Sequence, residues 1–359
     1  MTADYYPLLL RAIPHEKIWG GKNLARRLGK ATAPGALIGE TWEAWDGCVI
    51  ENGEQAGMTL RDLITRDAAG ILGATARDPR FPLLFKFIDA QADLSVQVHP
   101  DAAAAQTMEN YPFGKTEAWY IIHAEPNATL IHGFHRNTTR EQIQASLANN
   151  SLPDLLCSVP VKSGDVFFVP AGTVHAITRG IVLAEIQENS DITYRLYDWG
   201  RGGKGRELHI AQSLRVANLK GASDHNIPRL TIQRKEYDRH LLVACRYFSY
   251  ELFDLRGATR IELDKFNIVS FIAGAAEVSY GTGSEKSVRA KRGETFVLPA
   301  RLGRVDITPS ETPCQMLRAY VPDLRADVIA PLVHAGHREK EILRLGGADP
   351  RTNDLEKLF

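Results

Sequence analysis

The sequence predicts a mainly β protein: an antiparallel barrel or sandwich followed by a second, degenerate copy of it. Short apolar runs broken by Gly, Pro, Asn and Asp fill the chain from Ile13 to about Val98 and again from Trp119 to Tyr197. Ser163-Gly164-Asp165-Val166-Phe167-Phe168-Val169-Pro170-Ala171 is matched by Arg292-Gly293-Glu294-Thr295-Phe296-Val297-Leu298-Pro299-Ala300, the mark of an internal repeat. Leu94 to Pro100 alternates apolar and polar residues, which sets Ser95, Gln97 and His99 on one face of a strand. By itself that face reads equally as an edge strand with a polar outer side.

Later segments add polar groups of the same parity. In Gly114 to Ile122, Lys115 and Glu117 share a face with Trp119 and Ile121. Gly164 to His175 reads as a turn, an apolar strand, a Pro/Gly turn and a second histidine. Gln97, His99, Glu117 and His175 thus form a candidate ligand set of two imidazoles, a carboxylate and an amide oxygen. Such a mixed N/O set suits zinc or another divalent first-row ion and leaves positions open for water or substrate, which favours catalysis over scaffolding.

Two segments depart from the β pattern: alanine-rich Asp101 to Met108, and Thr138 to Leu156 with its cap-like start. They predict a helical insert over about 101–156. Extended upstream, the repeat sets Ile268 opposite Glu117 and Arg304 opposite His175, so the second barrel is expected to be metal-free. The expected division is a catalytic barrel over 1–225, a degenerate barrel over 226–325, and a carboxy-terminal helix and tail over 326–359. The irregular stretch from Leu219 to Asp238 forms the link.

Composition narrows the class of function. Forty-three basic residues balance forty-three acidic ones, so the excess positive charge of a nucleic-acid or anionic-membrane binder is lacking and a small-molecule partner is expected. Cys48, Cys157, Cys245 and Cys314 are widely spaced, which predicts free thiols in a reducing compartment, the cytoplasm by default. The amino terminus lacks the pattern of a secretory signal, and no apolar run reaches the roughly eighteen residues of a membrane span. His123, His132 and His135 read as surface or supporting groups, and the remaining histidines lack a motif. Gly200 to Gly205 satisfies G-x-G-x-x-G without a βαβ context and reads as a basic turn; Gly114-Lys115-Thr116 lacks the first P-loop glycine, since Glu109 stands there.

Taken together, Ile18-Trp19-Gly20-Gly21, Ile38-Gly39-Glu40-Thr41-Trp42-Glu43, Pro82-Leu83-Leu84-Phe85-Lys86, Leu94 to Pro100, Gly114 to Glu117, Pro170 to His175 and Thr193-Tyr194-Arg195-Leu196-Tyr197-Asp198 carry a resemblance. The chain resembles the type I, zinc-dependent mannose-6-phosphate isomerases in their shorter bacterial form. The resemblance implies a cupin-type barrel, a double-stranded β-helix or jelly roll, and one Zn2+ held by His99, Glu117 and His175 with Gln97 as a fourth ligand. It implies that Lys115 contacts substrate, that Arg195 is the active-site arginine, and that Lys86 is a further substrate contact. Glu43-Ala44-Trp45 departs from relatives that often carry a small polar residue after the glutamate.

The implied reaction moves a proton between C1 and C2 of a phosphosugar through a cis-enediol, whose oxygens carry developing negative charge. A divalent ion and an arginine suit that charge. Lys86, Lys115, Arg195 and Arg201 are the basic residues nearest the motifs, available for a phosphate. Against these roles stand a snorkelling Lys86 and an ion pair of Arg195 with Asp191 or Asp198. The rival functions are a cupin dioxygenase, which would use two histidines and a carboxylate on iron, and a non-catalytic sugar-phosphate sensor.

Overall fold

A computed structural model describes residues 5–76, 78, 80–201, 206–221, 226–281 and 286–359. Its strands, numbered in chain order, form four sheets. The first runs β2 (Ile13–Gly21), β3 (Ile38–Ala44), β4 (Leu83–Ala90), β11 (Ile181–Glu188), β6 (Glu117–Ala124) and β9 (Val166–Val169). The second runs β12 (Tyr194–Tyr197), β5 (Val96–Val98), β10 (His175–Ile177), β7 (Thr129–Phe134) and β8 (Leu156–Pro160). The third runs β1 (Leu8–Leu9), β20 (Thr295–Leu298), β17 (Asn267–Ala273), β22 (Cys314–Tyr320), β15 (Ser249–Leu255), β14 (Tyr237–Ala244) and β13 (Leu230–Gln233). The fourth runs β16 (Thr259–Glu262), β21 (Arg304–Pro309), β18 (Ala275–Tyr280) and β19 (Lys286–Lys291). None of these sheets closes on itself. The expected barrels are two jelly rolls, each a pair of facing sheets.

Four layers follow from the side-chain clusters. Trp19, Ile88, Trp119, Ile121, Phe167 and Leu183 of the first sheet meet Leu130 and Ile177 of the second in the core of the first jelly roll. The opposite face of the first sheet, with Phe85, Phe87, Tyr120, Phe168 and Ile186, packs on Val243, Tyr250, Leu252, Ile268 and Leu317 of the third. Phe253, Val269, Phe271, Met316, Val278 and Ile307 fill the second jelly roll. Strands β4 and β11 are therefore buried along their whole length on both faces, which is why Leu83-Leu84-Phe85 and Ile181 to Ala184 are unbroken apolar runs. Helices Arg140–Ala148 and Ile210–Val216 cover the outer face of the second sheet through Ile143 and Leu214.

Several sequence expectations are corrected. The stretch 101–156 is not one helical insert: helices Ala102–Glu109 and Arg140–Ala148 are separated by β6 and β7, and β6 carries Glu117. Helix Leu60–Leu72, capped by Thr59 and Asp62, was not anticipated. The carboxy-terminal helix is broken into Leu324–Ile329, Ala330–His334 and Glu339–Leu343, with Gly336 at φ 88° between the last two. Although the sequence assigns residues 1–225 to the first barrel, β1 pairs with β20 at the edge of the third sheet.

The repeat is real but its register is shifted by one. Glu117 lies opposite Val169, and Asn267 lies opposite Leu298, the matching position of the repeated hairpin. Asn267, not Ile268, occupies the place of Glu117; Ile268 points into the interface between the two jelly rolls. A one-residue slip exchanges the two faces of a strand, so the error would have turned an interface residue into a site residue. Arg304 is exposed at the start of β21.

One polar bolt joins the two halves. Lys30 Nζ lies 2.5 Å from Glu43 Oε2, donates to the carbonyl of Gly293, and sits 5.0 Å from the centre of the Phe87 ring; Thr295 Oγ1 donates to the same carboxylate at 3.1 Å. Removing the ammonium strands a fully buried carboxylate. Lys30→Ala is expected to lower unfolding stability by about 3 kcal/mol, and Lys30→Met with Glu43→Leu to recover most of the loss. Urea midpoints decide it, and a single variant as stable as wild type would contradict it.

Candidate metal centre and active site

Alternation along β5 sends Val96 and Val98 into the cluster beneath the helices and turns Gln97 and His99 to the cleft between the first two sheets. Pro100 ends the strand, and the Asp101 side chain caps the following helix by accepting from Ala104 N at 2.8 Å, so the chain leaves the sheet immediately after His99. Glu117 opens β6 opposite Val169 and Gln187. His175 opens β10 opposite both Gln97 and His132. Eighteen residues separate His99 from Glu117 and fifty-eight separate Glu117 from His175, yet their ligand atoms lie within 4.8 Å of one another, all buried.

Hydrogen bonds fix which nitrogens face the centre. His99 Nδ1 meets the carbonyl of Ile192 at 3.0 Å and His175 Nδ1 the carbonyl of Thr173 at 2.9 Å. A carbonyl only accepts, so each Nδ1 carries the proton and each Nε2 presents a lone pair. His99 Nε2 is 3.6 Å from Glu117 Oε2, and His175 Nε2 is 3.2 Å from Glu117 Oε1 without hydrogen-bond alignment. Lys115 Nζ donates to His99 Nε2 at 2.9 Å and to Glu117 Oε2. The ammonium stands where a cation is wanted: two neutral imidazoles and a carboxylate aim lone pairs at one point, and His175 Nε2 is left without a hydrogen-bond partner. That donor set fits a divalent ion.

Around it lies a chain of buried charges of which the sequence analysis singled out only Lys86. Lys86 Nζ sits 3.4 Å from Glu185 Oε1 and 3.7 Å from Glu40 Oε2, over the face of Trp42. Glu185 also accepts from Trp119 Nε1 at 2.9 Å, and Glu40 from Trp42 Nε1 at 2.9 Å. Burial alone would pull Lys86 down, but the carboxylates of Glu40 and Glu185 outweigh it and hold its pKa above the ordinary value. Burial would likewise raise Glu40, yet Lys86 and Lys17 bring it to about 2. Glu185 is raised by burial and then by Glu117. A charged residue directly after an unbroken apolar run in a strand buried on both faces, as Glu185 is after Ile181 to Ala184, was the available signal.

Arg195 is aligned with Gln97 and faces the same cleft. Its Nε donates to Ser95 Oγ at 3.2 Å and its Nη1 to the carbonyl of Glu207 at 2.7 Å. The structure does not pair it with Asp191 or Asp198; Arg201 and Arg206 take Asp198, at 2.6 and 3.4 Å. Arg206, which the sequence reading passed over, has a buried Nε without a hydrogen-bond partner. Three guanidiniums with one carboxylate among them form an anion-seeking cluster. Of the other histidines, His132 stands opposite His175 but its Nε2 meets the carbonyl of Phe168 at 3.0 Å. The turn Gly200 to Gly205 lies largely outside the described residues.

Burial, followed by the ammonium of Lys115, holds His99 well below the ordinary imidazole range and brings His175 to about 4. In the unfolded chain both imidazoles protonate near 6.5, so the unfolded state binds more protons and stability falls as pH drops from about 6.5 toward 4. Glu185 and Glu188, raised by burial, the latter to about 7, act in the opposite sense. Metal-stripped wild type is therefore expected to lose stability relative to a His175→Gln variant as pH is lowered from about 7.5 to 5. Parallel urea curves with a constant gap between the two would contradict this.

The thiols of Cys48, Cys245 and Cys314 are buried and in no disulfide, and no helix of the described residues is long and apolar enough to cross a membrane. Residues 8–115 match the model of the phosphomannose isomerase type I catalytic domain, and residues 238–321 that of the mannose-6-phosphate isomerase cupin domain. The mannose-6-phosphate isomerase ManA of Bacillus subtilis is 39% identical over 84% of this chain and 95% of its own length. The mannose-6-phosphate isomerase of Streptococcus mutans is 35% identical over 82% of this chain and 92% of its own. The crystal structure of a Bacillus subtilis mannose 6-phosphate isomerase superposes with a TM-score of 0.80 at 32% identity, covering 88% of this chain and 99% of the other. With the expected strands, the repeat and the histidine–glutamate–histidine cluster all in place, the chain belongs to the type I phosphomannose isomerase family.

Proposed function

We propose that this protein interconverts mannose 6-phosphate and fructose 6-phosphate, using one Zn2+ held by His99, Glu117 and His175 with Gln97 as the fourth ligand. The observation that carries the reading is the convergence of two Nε2 lone pairs and a carboxylate on one buried point, beside Lys115, in a chain of this family. Gln97 faces the same cleft from the register position between His175 and Arg195. Bound there, a redox-inert divalent ion supplies electrostatic stabilisation to the oxygens on C1 and C2.

The chain's own groups supply the rest. Lys115, whose ammonium touches two of the ligand side chains, stands ready to donate a proton or hydrogen bond beside them. Arg195, held by Ser95 and Glu207, offers its remaining guanidinium nitrogen to the negative charge that grows as the cis-enediol forms. Arg201 and Arg206 extend that positive surface toward a phosphate, and Lys86 is fixed against Glu40 and Glu185 as a substrate contact rather than a snorkelling lysine. Ile121, Trp119 and Leu183 beneath the site keep water out, which strengthens each of these interactions. Cys48, Cys245 and Cys314, buried and in no disulfide, fit the reducing cytoplasm.

Chelated protein is expected to lose turnover of mannose 6-phosphate and to regain it with Zn2+, while His99→Ala falls by about three orders of magnitude or more even with added zinc. Iron-dependent oxygen consumption without isomerisation would replace this reading with a dioxygenase; tight substrate binding without turnover by fully metallated protein would replace it with a sensor. Arg195→Lys keeps the charge but loses the planar fork, and about a tenfold or greater loss in kcat/KM is expected. Unchanged kinetics would remove Arg195 from the chemistry.

A further inference from the structure

The edge strand β2 brings to the cleft a histidine that the metal centre leaves unused. His15 is aligned with Glu40 across the β2–β3 ladder, on the face from which Lys17 reaches Glu40 at 3.6 Å. Its ring centroid lies 4.7 Å from that of Trp42, the indole whose face carries Lys86 Nζ at 5.1 Å and whose flank meets Trp45 at 5.0 Å. The charged groups facing it are Glu40, Lys17, Lys86 and Asp191. Asp191 adjoins Ile192, whose carbonyl fixes His99, and the strand registers put His15, Glu40, Lys86, Glu185 and Glu117 on one face of the first sheet.

On this wall the charges are already matched. Lys17 and Lys86 share Glu40, Glu185 takes the other side of Lys86, and Trp42 Nε1 is engaged by Glu40. His15 Nε2, in contrast, is buried with no hydrogen-bond partner. An unmet buried nitrogen has lost its hydrogen bond to water without replacement, a cost that a bound ligand would remove. Burial keeps the imidazole neutral near neutral pH, so it suits a hydroxyl group, which can donate or accept, better than a phosphate. The guanidinium cluster of Arg195, Arg201 and Arg206 serves the phosphate.

We propose that His15 is a specificity-determining residue of the isomerase site, hydrogen-bonding a hydroxyl of the sugar chain through Nε2 while Trp42 holds its ring in place. The inference rests on the isomerase reading above. It is tested on the zinc-loaded full chain by steady-state kinetics with mannose 6-phosphate, by competitive inhibition with inorganic phosphate, and by zinc content and melting temperature.

His15→Phe keeps a ring against Trp42 and removes the hydrogen bond; His15→Gln keeps a polar atom at that reach. The expected result is a KM raised about tenfold in His15→Phe with kcat within about twofold, near-normal KM in His15→Gln, and unchanged phosphate inhibition and zinc content in both. A His15→Phe variant with wild-type KM would overturn the inference, as would a loss of phosphate affinity that matches the change in KM. Wild type without any turnover would overturn the isomerase reading itself, which is a separate and distinguishable failure.

Discussion

The constraint on which the first jelly roll depends is electrical: Glu117 and Glu185 are buried inside it, with Glu40 nearly so, in a space otherwise lined by Trp119, Ile121, Ile88 and Leu183. Desolvated carboxylates on neighbouring strands repel, and each needs a cation or a donor within reach. The chain answers with Lys115 against Glu117, Lys86 between Glu185 and Glu40, Lys17 on the far side of Glu40, and indole N–H groups on Glu185 and Glu40. Removing one member would leave the next unpaired. The metal ligands are part of this order, since Glu117 is both a ligand candidate and the negative neighbour that raises Glu185.

The second jelly roll solves the same problem with the signs exchanged. The registers align Glu40 with Arg239, Lys86 with Glu251 and Glu185 with Arg318. There Arg239 and Arg318 flank Glu251 at 2.6 and 3.5 Å, a positive–negative–positive set where the first unit has negative–positive–negative. Alternation of charge across three adjacent strands, rather than any particular sign, is what the geometry demands. The two units differ in what happens next. In the first, the polar end opens to a cleft; in the second, Asp327 of the carboxy-terminal segment seats on Lys265 at 2.8 Å and its carbonyl accepts from Arg239 at 3.1 Å. Lys265 stands two residues before Asn267, as Lys115 stands two before Glu117, so the chain caps with its own carboxylate the end that in the first unit carries the proposed substrate site.

Much of this was legible where the signal was local. The alternation around His99, the parity of Lys115 with Glu117 and the turn before His175 each report which face a side chain takes, and periodicity is enough for that. The repeated hairpin likewise revealed the second unit. What escaped was set by pairing between distant strands. Ile268 and Asn267 are indistinguishable as counterparts of Glu117 until the ladder to Leu298 fixes the register. Glu40 and Glu185 lie 145 positions apart and gain meaning only through Lys86 between them. His15 had no motif because what singles it out is its contact with Trp42 and its unmet Nε2, neither of which a linear pattern contains.

The order of the strands also explains why the site is stiff at its centre and open at its rim. β4 and β11, which carry Lys86 and Glu185, lie in the middle of the first sheet and are packed on both faces, one against the core of their own unit and the other against the third sheet. Side chains there have little room to change rotamer, which suits groups that must hold charge in a fixed place. His15 and Arg195 come instead from β2 and β12, each at an edge of its sheet, with His15 and Arg195 only partly buried. In the proposed site, substrate recognition falls to residues of edge strands, while Glu117, Lys86 and Glu185 sit in strands whose neighbours on both sides fix them. A sheet with one face committed to a second jelly roll gives both at once, and that is the structural contribution of a second unit in which the Glu117 position is held by Asn267.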